Sequence, residues 1–384
     1  MDPVWRRGAL EAARLATASR VAEAAALVKR TLQDGPPLTG SGQLPGSSAT
    51  SLPQALRGLL DRVGLGELPL PGTSTAKSKP AATDNGEFLA KSFSNQAGTR
   101  PYKLYIPGGY RGEPLPLIVM LHGCTQSPDD FATGTRMNAA AEAERCFVVY
   151  PGQTSTANHS KCWNWFSPDD QRRDLGEPSL IAGITRQVMQ DYAIDPARVY
   201  IAGLSAGGAA AATIGSIYPD LYAAIGVHSG LACGAAHDMT SAFMAMRNGG
   251  GGRMRTGGAT ETARVDGHGV PTIVFHGDRD TTVNPANGDD VVAQLTQSQA
   301  TRPEKLVEKG SVPGGHTYTR TQFRETNGRV ICEQWVVHGA SHSWSGGSPA
   351  GSYTDASGPD ATREMLRFFL EHPRRNAIGA ARGG

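Results

Sequence analysis

The chain has 384 residues, 39% of them hydrophobic and 19% charged, with 37 Lys and Arg against 35 Asp and Glu and a formal net charge of +2. No long basic block stands out of that balance, which argues against a nucleic-acid partner, and no run of about 18 apolar residues exists to form a transmembrane helix. Five cysteines, at 124, 146, 162, 233 and 332, are too few and too scattered for a disulfide scaffold.

Residues 1–33 are alanine-rich, and Val21, Ala25, Val28 and Leu32 recur at helical spacing, predicting one amphipathic helix. Its polar side is basic, with Arg6, Arg7, Arg14, Arg20, Lys29 and Arg30 against Glu11 and Glu23. Such a helix either packs on its own domain or adsorbs to a polymer granule or lipid surface. The apolar stretch from Val21 to Val28 is broken by Glu23 and lies beyond Arg14 and Arg20, unlike a secretory leader, so a cytoplasmic location is expected. Residues 34–85 are dominated by Gly, Pro, Ser and Thr and read as a linker. Leu56, Leu59, Leu60 and Val63 mark one short helical island within it.

From Glu87 the pattern changes to short apolar runs alternating with helix-compatible segments, the mark of a mostly parallel sheet covered on both faces. Strands are expected at Tyr102–Ile106, Leu117–Leu121, Phe147–Tyr150, Val199–Ala202, Ala223–Val227 and Pro271–Phe275. Residues 248–258 read as a glycine-rich surface loop. Thr317–Glu325 and Arg329–Val337 flank Asn327-Gly328, a two-residue hairpin signal. A last helix follows Pro359, with Met365, Leu366, Phe368, Phe369 and Leu370 on its apolar side. The catalytic domain is expected to span 86–373, with a tail at 374–384.

The chemistry is read from strand ends. Gly203-Leu204-Ser205-Ala206-Gly207 joins a strand to a small-residue helix, the sharp turn that holds a serine hydroxyl clear of a sheet. In a chain with 48 glycines that pattern alone is weak. Three other strand ends strengthen it: His122-Gly123-Cys124 after the second strand, Asp278-Arg279-Asp280 after the sixth, and His342 in Gly339-Ala340-Ser341-His342-Ser343-Trp344 near the end. The order serine, aspartate, histidine is that of the α/β-hydrolase fold. Ser205 is then the candidate nucleophile and His342 its base, with Asp280 or Asp278 as the orienting acid. The backbone N–H groups of Cys124 and Ala206 are candidate oxyanion donors.

His122 and His276 read as structural hydrogen-bonders. The histidines form no metal-ligand spacing, so no metal or other cofactor is expected. Trp163, Trp165 and Trp344 are candidates for the wall of an acyl or alcohol pocket. Cys162 and Cys233, which both follow expected strands, are the first choice for a local disulfide.

These motifs, together with Cys162-Trp163-Asn164-Trp165-Phe166 and His276-Gly277, resemble the poly(3-hydroxybutyrate) depolymerase family of esterases over about residues 86–372. The resemblance implies Asp280 as the acid, an α/β-hydrolase fold and ester hydrolysis through an acyl-enzyme. It also implies a short-chain hydroxyalkanoate polyester or oligomer as substrate, and keeps an extracellular location as the alternative. A carbohydrate-ester hydrolase of the feruloyl or acetyl-xylan type is the rival enzyme. A granule- or surface-binding protein on a hydrolase scaffold is the rival without catalysis.

Overall fold

The computed structural model describes residues 86–249, 269–297, 299 and 301–374. The described residues all belong to one compact unit. The expected basic helix, the linker, most of the glycine-rich loop and almost all of the tail lie outside the described residues.

Among the described residues ten strands make one sheet: β1 (Glu87–Asn95), β2 (Gly98–Ile106), β3 (Leu115–Leu121), β4 (Phe147–Pro151), β5 (Ile194–Leu204), β6 (Ala224–His228), β7 (Thr272–Gly277), β8 (Glu304–Ser311), β9 (Thr317–Arg324) and β10 (Val330–Val337). Their order across the sheet is β1-β2-β4-β3-β5-β6-β7-β10-β9-β8. The run from β4 to β10 is parallel throughout, and the strands outside it pair antiparallel. Every residue of β3, β4, β6 and β7 is buried, which is why these strands read as unbroken apolar runs.

Alternate side chains of β3 serve opposite faces. Leu117, Val119 and Leu121 join one core and Ile118 and Met120 the other. Among the described residues seven α-helices cover the sheet: α1 (Pro128–Thr135), α2 (Met137–Glu144), α3 (Gly176–Asp191), α4 (Ala206–Ile217), α5 (Met239–Asn248), α6 (Ala286–Gln297) and α7 (Ala361–Glu371). Residues of α3, α4, α5 and α6 pack into the first core, and those of α1, α2 and α7 into the second. The small residues of α4 allow it to lie close on the sheet: a Cβ at Gly215 would sit 2.4 Å from Ile225 Cγ1.

All the strands expected from sequence are present, and two were missed. β1 pairs residue for residue with β2 from Glu87↔Ile106 to Asn95↔Gly98, yet its half-exposed sequence EFLAKSFSN carries little apolar signal. β8 is the exposed sheet edge, and its Glu304, Lys305, Glu308 and Lys309 are the charges that protect an edge from further pairing. The hairpin between β9 and β10 is longer than its Asn-Gly signal suggested. Glu325 N–H bonds Arg329 O at 2.9 Å, and Gly328 takes φ +83°, so three residues form the loop and the glycine relieves the left-handed position.

Candidate active site

Four parallel strands end at one rim of the sheet, where open α/β sheets present their ligand sites. Ser205 follows β5, Cys124 follows β3, Asp280 follows β7, and His342 lies on the loop after β10. Ser205 adopts φ 58°, ψ −121°, a strained backbone for a residue with a side chain, costing about 1–3 kcal/mol. Its N–H bonds His228 O at 2.9 Å, and its carbonyl accepts Ala209 N–H at 2.9 Å. The flanking glycines are required by contact. A Cβ on Gly207 would lie 2.1 Å from Leu121 O, and one on Gly203 would lie 2.3 Å from Gly207 C. The turn is therefore wedged against the end of β3.

On the other side, His342 Nδ1 meets Asp280 Oδ2 at 2.6 Å. The Asp280 side chain is fully buried. Its Oδ1 accepts the N–H groups of Thr282 at 2.9 Å and Val283 at 2.8 Å, and His276 Nε2 stands 3.3 Å from Oδ2. Burial alone would raise this carboxyl, but the hydrogen bonds from His276 and His342 outweigh it and hold it well below the usual carboxylate range. An ionised Asp280 is the form that orients an imidazole. The rival Asp278 is engaged elsewhere, with His338 Nδ1 at 2.9 Å and Gly339 N–H at 2.7 Å. Among the described residues Ser205 Oγ makes no hydrogen bond to the imidazole of His342, a contact that in such sites often tightens only with substrate bound.

Two buried histidines serve as scaffolding. His122 Nδ1 bonds Gly123 O at 2.7 Å while its Nε2 accepts Gln153 N–H at 3.1 Å. Burial lowers it to about 4, so it is neutral, as that pattern of donor and acceptor needs. His276 Nε2 donates to Val283 O at 3.0 Å, tying the acid loop back to β7. A third, His228, which the sequence did not single out, stacks on Trp344 with centroids 4.9 Å apart and accepts Ser345 N–H at 2.9 Å. Its burial pushes its pKa well below the ordinary value.

The tryptophans do not form the wall expected of them. Trp163 is 0% and Trp344 1% exposed, and their indole N–H groups are spent on His122 O at 3.0 Å and Thr362 Oγ1 at 3.0 Å. Trp165, 6% exposed, is also core. They support the loops of the rim from beneath, because an aromatic ring with no open face has nothing to offer a ligand.

The disulfide expectation is also corrected. The bridge joins Cys124 to Cys162, while Cys146, Cys233 and Cys332 are free and buried. Cysteine spacing does not encode pairing. What decides it is that Thr125 N–H bonds Ser160 O at 2.7 Å, laying the two loops side by side. The bridge therefore clamps the turn that carries the Cys124 N–H. Among the described residues that N–H has no hydrogen-bond partner, and Ala206 N–H is at the first position of α4, where no intrahelical acceptor exists.

Sequence reasoning also missed the buried carboxylate of Glu177, near the start of α3. Its Oε2 accepts Asn164 N–H at 2.7 Å and its Oε1 accepts Asn164 Nδ2 at 2.8 Å and Gln153 Nε2. Burial, then the Asp170 charge, raise it to about 7. No local signal marks a glutamate in the first turn of a helix as anything but a favourable end charge. Among the described residues no cluster of His, Cys, Asp or Glu could hold a metal ion, and no helix is long and apolar enough to cross a membrane.

The sheet order, the strained serine turn and the loops of the rim define an α/β-hydrolase. A family model described as esterase PHB depolymerase matches residues 100–302, and the chain belongs to that family. It is 32% identical to poly(3-hydroxyalkanoate) depolymerase C of Paucimonas lemoignei over 72% of this chain and 66% of that protein, and so spans just under two thirds of that relative. It is 28% identical to feruloyl esterase B of Thermothelomyces thermophilus over 62% of this chain and 80% of that protein. An acetyl xylan esterase structure from Aspergillus awamori shares the fold, with a TM-score of 0.54 at 17% identity over 74% of this chain and 99% of that one.

Proposed function

We propose that this protein hydrolyses carboxylic esters through an acyl-enzyme on Ser205. The observation that carries the proposal is the serine held at φ 58°, ψ −121°, at the same sheet rim as an imidazole bonded to a buried carboxylate at 2.6 Å. Ser205 Oγ attacks the ester carbonyl carbon while His342 Nε2 takes its proton, and Asp280 stabilises the imidazolium through Nδ1. The N–H groups of Cys124 and Ala206 bind the oxyanion, each contributing roughly 2.7–4 kcal/mol. As the tetrahedral intermediate collapses, the proton passes from His342 to the departing alcohol. Water activated by the same imidazole then releases the acid and restores the serine.

The substrate we favour is a short-chain hydroxyalkanoate polyester or its oligomers, supported by family membership and by the name of the Paucimonas relative. A feruloyl or acetyl sugar ester is the second reading, supported by the feruloyl esterase relative. The Cys124–Cys162 bridge favours an oxidising, extracytoplasmic setting over the cytoplasmic one, because reducing compartments do not maintain such bonds.

The test is Ser205→Ala together with fluorophosphonate labelling read by peptide mass. Wild type should label at Ser205 and turn over p-nitrophenyl butyrate, and the variant should do neither. Turnover that survives in Ser205→Ala overturns the mechanism. Faster cleavage of feruloyl or acetyl-xylan esters than of hydroxybutyrate oligomers overturns the substrate.

A further inference from the structure

The Cys124 turn is held by a frame of polar side chains that converge on Glu177. Its two carboxylate oxygens receive three N–H donors, two from Asn164 and one from Gln153, and its nearest cation, Arg100, stands 3.6 Å away. Glu177 itself is 5% exposed. Asp170 stands beside it, with Oδ1 accepting the Glu177 N–H at 2.7 Å. Each partner of Glu177 holds the next loop outward. Asn164 Oδ1 accepts Asn158 Nδ2 at 2.9 Å, and Asn158 Oδ1 in turn accepts the N–H groups of Ser160 at 3.0 Å and Cys162 at 3.2 Å. Gln153 Nε2 also donates to Cys162 O at 3.0 Å, and its main-chain N–H bonds His122 Nε2 at 3.1 Å.

The frame made of residues 153–164 then grips the turn at 122–125 from both sides. Gln153 and the Trp163 indole hold His122, the disulfide holds Cys124, and Ser160 O holds Thr125 N–H. The free N–H of Cys124 lies between these ties. Three converging donors demand an acceptor with two oxygens and no hydrogen, which the carboxylate is in its ionised form, above its raised pKa of about 7, and an amide is not at any pH. A glutamine would turn an N–H₂ group toward one of the donors and leave it unsatisfied.

We propose that Glu177 is a positioning residue for the oxyanion-binding N–H of Cys124, acting through Asn164, Gln153 and the Cys162 loop without touching substrate. This rests on the reading of Cys124 as an oxyanion donor. Donor geometry matters most where charge develops, so a loosened frame weakens binding of the tetrahedral state more than binding of the ester.

The experiment is run at about pH 8.5, where a carboxyl titrating at about 7 is ionised, on the full chain with p-nitrophenyl butyrate as substrate and butylboronic acid as the tetrahedral-state probe, with Glu177→Gln, Asn164→Ala and Ser205→Ala variants. Glu177→Gln should lower kcat roughly 10-fold to 100-fold, short of the 10²–10³ seen when a donor is removed outright. KM should change less than about threefold, and the boronate inhibition constant should weaken in step with kcat. If Glu177→Gln does not fold, Asn164→Ala is read by the same criteria. A folded variant whose kcat and boronate affinity stay at wild-type values overturns the proposal, as does a loss of kcat with boronate affinity intact. Activity surviving in Ser205→Ala would instead bring down the reading beneath it, and the two failures are thereby told apart.

Discussion

Asp280 and His342 are 62 residues apart in the chain, and their side chains meet at 2.6 Å, Oδ2 to Nδ1, with the carboxylate fully buried. Asp278, two residues earlier, is bonded to His338 and to the Gly339 N–H. Replacing each aspartate by asparagine should separate them. Asp280→Asn should lower kcat by about 10⁴-fold, the size of effect expected when an imidazole is left in the wrong tautomer. Asp278→Asn should leave kcat within a few fold of wild type. Steady-state kinetics on one soluble ester decides it, and equal losses in the two variants would contradict the assignment.

Gly207 is the least replaceable residue of the serine turn. A methyl group there would lie 2.1 Å from Leu121 O and 2.5 Å from His122 O, so backbone must move to admit it. Gly207→Ala is expected to abolish measurable turnover and fluorophosphonate labelling while the far-UV circular dichroism of the sheet persists. Wild-type labelling in that variant would show that the turn has slack the contacts do not suggest.

The Cys124–Cys162 bridge closes a loop of 38 residues. The chain-entropy account assigns such a loop about 4 kcal/mol of stabilisation. Urea unfolding of the Cys162→Ser variant should show a lower midpoint, and turnover should fall more than stability alone explains, because the bridge also holds the Cys124 turn. An unchanged midpoint would mean the side-chain frame holds these loops without the covalent tie.

Glu333 is buried in β10 beneath Arg320 (2.8 Å), Arg367 (2.7 Å), Gln322 (3.0 Å) and the Trp335 indole (3.2 Å). Burial would raise its carboxyl, but the Arg320 hydrogen bond and the Arg367 charge prevail and hold it below its ordinary value. A carboxylate depressed on folding contributes stability above its unfolded pKa of about 4.3, and that contribution is lost as pH falls through the folded value. Glu333→Gln should therefore lose about 3 kcal/mol at neutral pH, the low end for a broken buried pair because both arginines keep some contact with water. The difference from wild type should shrink on acidification. Denaturant titrations at pH 7 and at about pH 3, well below the unfolded pKa, test both the size and the sign.

Much of the rim was legible because strand ends carry local signals. Gly203 and Gly207 bracket Ser205, His122-Gly123-Cys124 follows an apolar run, and His276-Gly277 leads into the Asp280 loop. The missed elements had no such mark. β1 and β8 are half-exposed or exposed strands, so their residues show little apolar pattern, and they exist because β2 and β9 offer paired edges. The role of the tryptophans failed for a related reason: the composition of Cys162-Trp163-Asn164-Trp165-Phe166 is the same whether its rings face a ligand or a core. Only the packing of Trp163 beneath His122 and of Trp344 against His228 and Phe131 tells which.

Taken alone, the sequence determined the layered α/β architecture, the order of Ser205, Asp280 and His342 along the chain, and the glycines without which the serine turn could not close, because each is carried by local signals: apolar runs, strand-end motifs and turn residues. The partners of Asp278 and Asp280, the joining of Cys124 to Cys162 and the convergence of Asn164 and Gln153 on Glu177 were decided by tertiary structure. Those relationships link segments tens of residues apart, and which of them meet depends on how the parallel strands stack and where their loops fall at the rim, a geometry no local pattern of side chains encodes.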